Sequence, residues 1–274
     1  MSWNDNLAKI WTKMVGPSRP TVSELAIYTK YAHKLMEEKH RRLSLLVLGS
    51  TPEFRDWGFE ENMVVTVMDV NPDYNSTINR ELRHKTILEE HTEKYIQDLW
   101  QNLNAVDAYD IIIGDLAIGN IPKEGLDDFI KRVSLALNSH GLFLGKSFFV
   151  PKDYNIITPT ELINRYYEGP QYHPYSALVF DLTMYCIDND NMLDFQRQYQ
   201  ELIKLKQNGL ITEETMHYFE NVGWDNEMKF KFHVPKCQYY EDLLNKYLTI
   251  QTVEHGCDVY SKNFPLYIAT KKSK

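Results

Sequence analysis

Cysteine and long apolar runs are scarce in this sequence. The three cysteines, Cys186, Cys237 and Cys257, lie far apart and form no C-x-x-C pair, which argues against a disulfide framework and against a cysteine zinc site. No run approaches the roughly 18 apolar residues of a membrane span, and residues 1–14 contain no apolar core of signal-peptide length. These absences predict a soluble protein of the reducing cytoplasm.

An excess of basic residues is also missing. The chain carries 38 acidic and 30 basic residues, with a net charge of -8, whereas proteins that bind duplex nucleic acid normally present a basic stripe. The sequence therefore predicts no nucleic-acid partner. Apolar residues, in contrast, make up 43% of the chain, which is enough for the core of one α/β domain with additions.

Two apolar runs in the stretch 43–71 organise the rest of the chain. Residues 45–48 end in Gly49, and residues 63–68 end in Asp69, twenty residues after that glycine. Short uncharged runs of this kind are typical of strands buried on both faces of a parallel sheet. Adjacent parallel strands bring such a glycine and such a carboxylate to one rim, where a ribose fits between them. The pattern therefore favours a nucleoside-binding fold.

The turn after the first strand reads S-T-P-E and leads into a short predicted helix. Ser50 or Thr51 can cap its first amides and Pro52 suits its first position, so that free amides face a ligand. A dinucleotide phosphate loop would need glycines where Thr51 and Phe54 stand. The turn L-G-S-T-P-E and the two strands instead resemble the class I S-adenosylmethionine-dependent methyltransferases, over roughly residues 43–150.

This resemblance implies a fold and a cofactor. The expected fold is α/β, with a doubly wound, mostly parallel, seven-stranded Rossmann-like sheet. The expected cofactor is S-adenosyl-L-methionine, or S-adenosyl-L-homocysteine as bound product. Asp69 would accept hydrogen bonds from the ribose, and Arg19 would meet the carboxylate of the amino-acid end. An acid after the third strand, Glu90 or Glu89, would meet the adenine. The candidate cofactor-binding residues are Gly49, Ser50, Thr51, Asp69, Val70, Asn71, Glu90, Gly114, Asp115 and Arg19.

Catalysis is expected near the end of the fourth strand. Residues 109–116 form a buried run that closes on a glycine and Asp115, and residues 117–122 resemble the family's segment beside the transferred methyl group. Asp115 and His173 are the predicted catalytic residues, and His91 is a further candidate base for a hydroxyl acceptor. No metal site is predicted.

The flanking segments predict two helical additions to the sheet. Residues 1–40 read as two helical pieces, which form either a lid over the methyl donor or a helix packed on the core. Residues 41–274 form the predicted methyltransferase domain, with a helical cap inserted at about 151–227. A third strand is expected at residues 85–88, a helix at residues 95–103, and an antiparallel hairpin at the end of the sheet.

The favoured function is methyl transfer to a small-molecule acceptor. The segment after Asp115, L-A-I-G-N-I-P, lacks the Asn/Asp-Pro-Pro-aromatic pattern of enzymes that methylate the amino groups of bases. One alternative is a degenerate, non-catalytic protein that binds S-adenosylmethionine and acts through protein contacts. Another is an NAD(P)-dependent oxidoreductase, which the missing phosphate-loop glycines disfavour. No membrane partner is expected, and a homodimer is left open.

Overall fold

The computed structural model describes Trp11 and residues 19–83, 93–149, 158–168, 174–221, 231–257 and 261–272. Within these ranges the helices are α1 (Val22–Lys39), α2 (Pro52–Glu60), α3 (Pro72–Ile78), α4 (Leu126–Ala136), α5 (Pro159–Glu168), α6 (Pro174–Cys186), α7 (Phe195–Gln207), α8 (Glu213–Asn221) and α9 (Cys237–Tyr247). The strands are β1 (Ser44–Leu48), β2 (Val64–Asp69), β3 (Lys94–Gln97), β4 (Tyr109–Asp115), β5 (Leu137–Lys146), β6 (Met192–Asp194), β7 (Lys231–His233), β8 (Leu248–Glu254) and β9 (Leu266–Lys271).

Seven of these strands form one sheet in the order β3-β2-β1-β4-β5-β9-β8. The five strands from β3 to β5 are parallel, and β9 runs antiparallel to both β5 and β8. The predicted mostly parallel, seven-stranded sheet is therefore confirmed, as is the antiparallel hairpin at its end. Because the order reverses direction at β1 and β4, the carboxyl ends of these strands form the rim where ligands bind in open α/β sheets.

Helices cover both faces of the central strands, which explains their continuous apolar runs. Leu45 and Val47 of β1 pack with Tyr28 and Trp57 on the side of α1 and α2. Leu46 and Leu48 pack on the opposite side, in a core that also contains residues of α4 and α9. Successive strand residues point to opposite faces, so a strand covered on both sides must be apolar throughout.

Strand β3 corrects one prediction. Residues 95–97 were expected within a helix because Ile96, Leu99 and Leu103 recur at helical spacing, but they belong to a strand that pairs in parallel with β2. The partner of Asp69 in this register is Gln97. A four-residue edge strand followed by a 3₁₀ turn imitates helical periodicity over so short a window. The expected strand at residues 85–88 lies outside the described residues.

The additions to the sheet are less purely helical than predicted. Helices α5 to α8 share a second hydrophobic core with the two-stranded antiparallel sheet of β6 and β7. Strand β6 lies within the region predicted to be helical, and β7 extends this region, here called the cap, to His233. Among the described residues, no helix combines the length and apolar character needed to cross a membrane.

Candidate functional site

The structure places Gly49 and Asp69 side by side on the rim. The Gly49 amide donates to the Met68 carbonyl at 2.9 Å, and Ser50 Oγ donates to Asp69 Oδ2 at 2.9 Å. The Asn71 amide donates to Asp69 Oδ1 at 3.0 Å. Burial raises the pKa of Asp69, while these hydrogen bonds act in the opposite direction. The Asp69 carboxylate is thus held in a fixed orientation at the end of β2, and Asp69 as a whole is 9% exposed.

The neighbouring polar residues have structural partners of their own. Thr51 occupies the N-cap of α2 without a side-chain capping bond, so the predicted capping by Thr51 or Ser50 is wrong. Ser50 instead uses its hydroxyl on Asp69. The Asn71 side chain caps α3 by accepting from the amides of Asp73 and Tyr74 at 3.0 and 3.1 Å. Asn71 thus holds the start of α3 and, through its amide, the Asp69 carboxylate, and it does not line the cavity.

Gly49 has a neighbour that the sequence did not reveal. Its φ of 91° lies in the left-handed region, and an added Cβ would sit 3.2 Å from Cζ2 of Trp100. The Trp100 indole donates to the Met68 carbonyl at 2.7 Å. Part of the space above this glycine is therefore taken by an aromatic ring, which forms one side of the adjacent cavity.

A cavity of about 740 Å³ lies at the rim beside Trp100. Its sheet wall consists of Asp69 at the end of β2, Val70 directly after it, residues 98–101 after β3, and residues 119–124 after β4. Its second wall comes from the cap and contains Asp190, Met192, Lys231 and His233. A volume of this size is within the range of small-molecule sites.

Asp98 is a site residue that sequence reasoning missed. It follows β3 directly and lines the cavity, and its Oδ1 accepts from the Leu99 amide and the Asn102 side chain, both at 2.8 Å. Glu89 and Glu90 lie outside the described residues and precede β3 rather than follow it, which corrects the premise on which they were chosen. The available signal was an acidic residue, Asp98, directly after the short run K-Y-I-Q.

Asp115, the predicted catalytic acid, lies in a buried ion cluster with Lys146 and Glu24. Lys146 Nζ is 3.2 Å from Asp115 Oδ1 and 3.1 Å from Glu24 Oε2. The Asp115 side chain is 4% exposed and does not line the cavity. Burial raises its pKa to about 7, against the opposing effect of Lys146. Burial alone would lower the pKa of Lys146, but the carboxylates of Asp115 and Glu24 raise it above its ordinary value.

The elements around this cluster explain how it is closed. Thr21 and Glu24 form a capping box at the start of α1, with the Thr21 amide donating to Glu24 Oε2 at 2.9 Å. The Tyr28 hydroxyl on the same helix is buried and has no hydrogen-bond partner among the described residues. Nearby Glu24 and Asp115 reinforce the effect of burial, which raises the Tyr28 pKa. Helix α1 therefore covers the rim at the ends of β4 and β5.

The remaining predicted residues are dispersed. Arg19 forms an ion pair with Glu53 and donates to the Trp11 carbonyl at 3.2 Å, away from the cavity wall. A Cβ on Gly114 would lie 2.8 Å from that of Ala117, so this glycine permits the tight turn after β4. His91 and His173 lie outside the described residues. Among described side chains, no group of three or more His, Cys, Asp or Glu could hold a metal ion.

Comparisons with known proteins support the fold. A protein named as an S-adenosylmethionine-dependent methyltransferase from Listeria monocytogenes has a TM-score of 0.51 at 14% identity, over 88% of this chain and 96% of that one. A methyltransferase of the same cofactor class from Methanosarcina mazei has a TM-score of 0.50 at 13% identity, over 85% and 94%. A protein named as a zinc-dependent alcohol dehydrogenase from Rhodobacter sphaeroides has a TM-score of 0.55 at 15% identity, over 99% and 100%.

Sequence comparison adds no family assignment. No protein-family model matches the chain, and no curated protein matches it. The structural likenesses establish a Rossmann-like methyltransferase fold. Since similar structures carry names from different reaction classes, the chemistry must be argued from the site itself.

Proposed function

We propose that this protein binds S-adenosylmethionine at the β2–β3 side of the rim and transfers its methyl group to a small-molecule acceptor. The proposal is carried by one observation: two carboxylates, Asp69 and Asp98, line the same cavity from the ends of two adjacent parallel strands. When bound, S-adenosylmethionine supplies an activated methyl group on a sulfonium centre.

The polar groups at the end of β2 and directly after β3 fit a nucleoside. Two of the roughly four acceptor positions of the Asp69 carboxylate are used by Ser50 Oγ and the Asn71 amide, and the amides of Ser50 and Val70 also face it. A ribose diol would therefore compete with the Ser50 hydroxyl for this carboxylate. Asp98 and the apolar Val70 and Trp100 provide an acceptor and flat contact area suited to a purine.

The charge of the cavity argues against a dinucleotide. Its wall carries four carboxylates and two lysines, which leaves an excess of negative charge. A diphosphate would be repelled by this surface, whereas a ligand with a sulfonium would be attracted. The described wall therefore favours the methyl donor over NAD(P).

The protein's own contribution to methyl transfer is positioning. Holding an acceptor and donor aligned about 3 Å apart can supply roughly 7–11 kcal/mol in favourable cases. The Asp115 carboxylate is 4% exposed, is paired with Lys146 and does not line the cavity, so it is not placed to take a proton from an acceptor bound there. We also propose that residues 1–40 form a lid over the methyl donor. The same proposal includes a small-molecule acceptor and a cytoplasmic location.

Isothermal titration calorimetry of the full chain tests this function. We expect micromolar binding of S-adenosylhomocysteine and S-adenosylmethionine and none of NAD or NADP. Binding of a nicotinamide cofactor, or of none of the four compounds, would contradict the proposal. Incubation with a panel of small hydroxyl and amine acceptors, followed by mass spectrometry for a gain of one methyl group, then separates an active enzyme from a non-catalytic donor-binding protein.

A further inference from the structure

The cavity has a second wall whose purpose the proposed function leaves open. The sheet rim supplies Asp69, Val70 and Asp98, whereas the cap supplies a short hairpin wall with Lys231 and His233 on the same face of β7. The cap is an addition to the sheet, and four of its residues nevertheless line the cavity: Asp190, Met192, Lys231 and His233.

His233 is the unusual member of that wall. The residue is 4% exposed, and its Nδ1 has no hydrogen-bond partner in the described part of the chain. Burial lowers its pKa, Lys123 adds to this effect, and Glu124 opposes it. The remaining charged residues of the cavity are Asp69, Asp98, Asp190 and Lys231. The imidazole is therefore neutral near pH 7, with one donor and one acceptor nitrogen.

The hairpin is fixed against the rim, which gives His233 a defined position. Met192 pairs with His233 across the two strands, and the Val234 amide donates to the Asn191 carbonyl at 2.8 Å. The Phe232 ring fills the space beside Gly119 so closely that any Cβ on this glycine would overlap it. The cap wall is thus locked onto the segment that follows β4.

We propose that His233 contacts the base of the nucleoside bound in this cavity, so that the cap takes part in recognising the methyl donor. This inference rests on the proposed function. A neutral imidazole matches the uncharged donor and acceptor groups on the edge of a purine, and it adds no charge that would oppose the sulfonium. The carboxylates at the ends of β2 and β3 hold the nucleoside from the opposite wall.

The test compares four full-length proteins: wild type, His233→Ala, His233→Gln and His217→Ala. His217 is exposed on α8 of the cap and serves as the matched control. Calorimetry with S-adenosylhomocysteine and with adenosine should show that His233→Ala weakens both ligands by about five- to tenfold, the scale of one hydrogen bond. His233→Gln should recover most of the affinity, and His217→Ala should bind as wild type. Circular dichroism melts verify that each variant is folded.

The outcomes separate this inference from the proposed function. If wild type binds neither compound, the proposed function fails and the inference with it. If wild type binds both compounds and His233→Ala binds them equally well, the proposed contact between His233 and the base is wrong, while the proposed donor-binding site is retained. A loss confined to S-adenosylhomocysteine would place His233 at the amino-acid end of the ligand and would also overturn the contact with the base.

Discussion

At the β2–β3 end of the rim, Asp69 and Asp98 face a cavity of about 740 Å³, whereas at the β4–β5 end Asp115 is enclosed with Lys146 and Glu24. Both ends carry carboxylates on the last residues of parallel strands or just beyond them. At the first end the carboxylates line the cavity and are held by N–H and O–H donors rather than by a cation, and at the second end Lys146 neutralises the carboxylates. A carboxylate at a strand end therefore indicates a ligand only when no internal cation has already paired with it.

The largest expected effect is on the stability of the β4–β5 end of the rim, here called the closed end. Lys146→Met would leave Glu24 and Asp115 buried without their cation, and we expect a loss of about 3–5 kcal/mol in the free energy of unfolding. Guanidinium chloride denaturation measures this quantity. Lys204→Met is the control, because Lys204 is 62% exposed in its pair with Glu201, and its replacement should leave the free energy of unfolding close to that of wild type. Equal losses in the two variants would mean that the cluster does not stabilise the fold.

The next effect is on ligand binding at the β2–β3 end of the rim, here called the open end. Asp69→Ala removes a charged hydrogen-bond acceptor, and we expect S-adenosylhomocysteine to bind more weakly by about 1.5–3 kcal/mol. Asp73→Ala, at an exposed position in the first turn of α3, is the control and should bind as wild type. An unchanged dissociation constant in the Asp69 variant would remove this residue from the ligand site.

The smallest expected effect is the pH dependence that Asp115, at the closed end, gives to the free energy of unfolding. The folded-state pKa of Asp115 is raised to about 7, above the unfolded value of about 3.9, so the folded state binds a proton that the unfolded state releases. Its contribution to stability is complete below the unfolded pKa and is lost as pH rises through the folded pKa. The free energy of unfolding of Asp115→Asn should therefore rise by about 1–2 kcal/mol relative to that of wild type between pH 6 and pH 8.

Urea denaturation of both proteins at each pH measures this difference. Asp115→Asn keeps the shape of the side chain, and Lys146 retains Glu24 as its partner at 3.1 Å, so the variant is expected to fold. A constant difference across the pH range would show that Asp115 has an ordinary pKa and that its enclosure with Lys146 and Glu24 does not perturb its titration.

The sequence was most informative where a strand is buried on both faces. The apolar runs of β1, β2 and β4 ended in Gly49, Asp69 and Asp115, and these ends form one rim as predicted. Prediction failed at β3, because a short edge strand needs no continuous apolar run and its spacing imitated a helix. It also missed β6, a three-residue strand whose partner β7 lies far along the chain.

By itself, the amino-acid sequence determined the class of fold, because hydrophobic periodicity and strand-end residues are local properties of the chain. Tertiary structure alone decided which acids are available to a ligand. Glu24, Asp115 and Lys146 come from three distant elements, and only their packing shows that two carboxylates share one buried cation. The same applies to His233, whose place opposite Asp69 and Asp98 depends on how the cap docks on the rim.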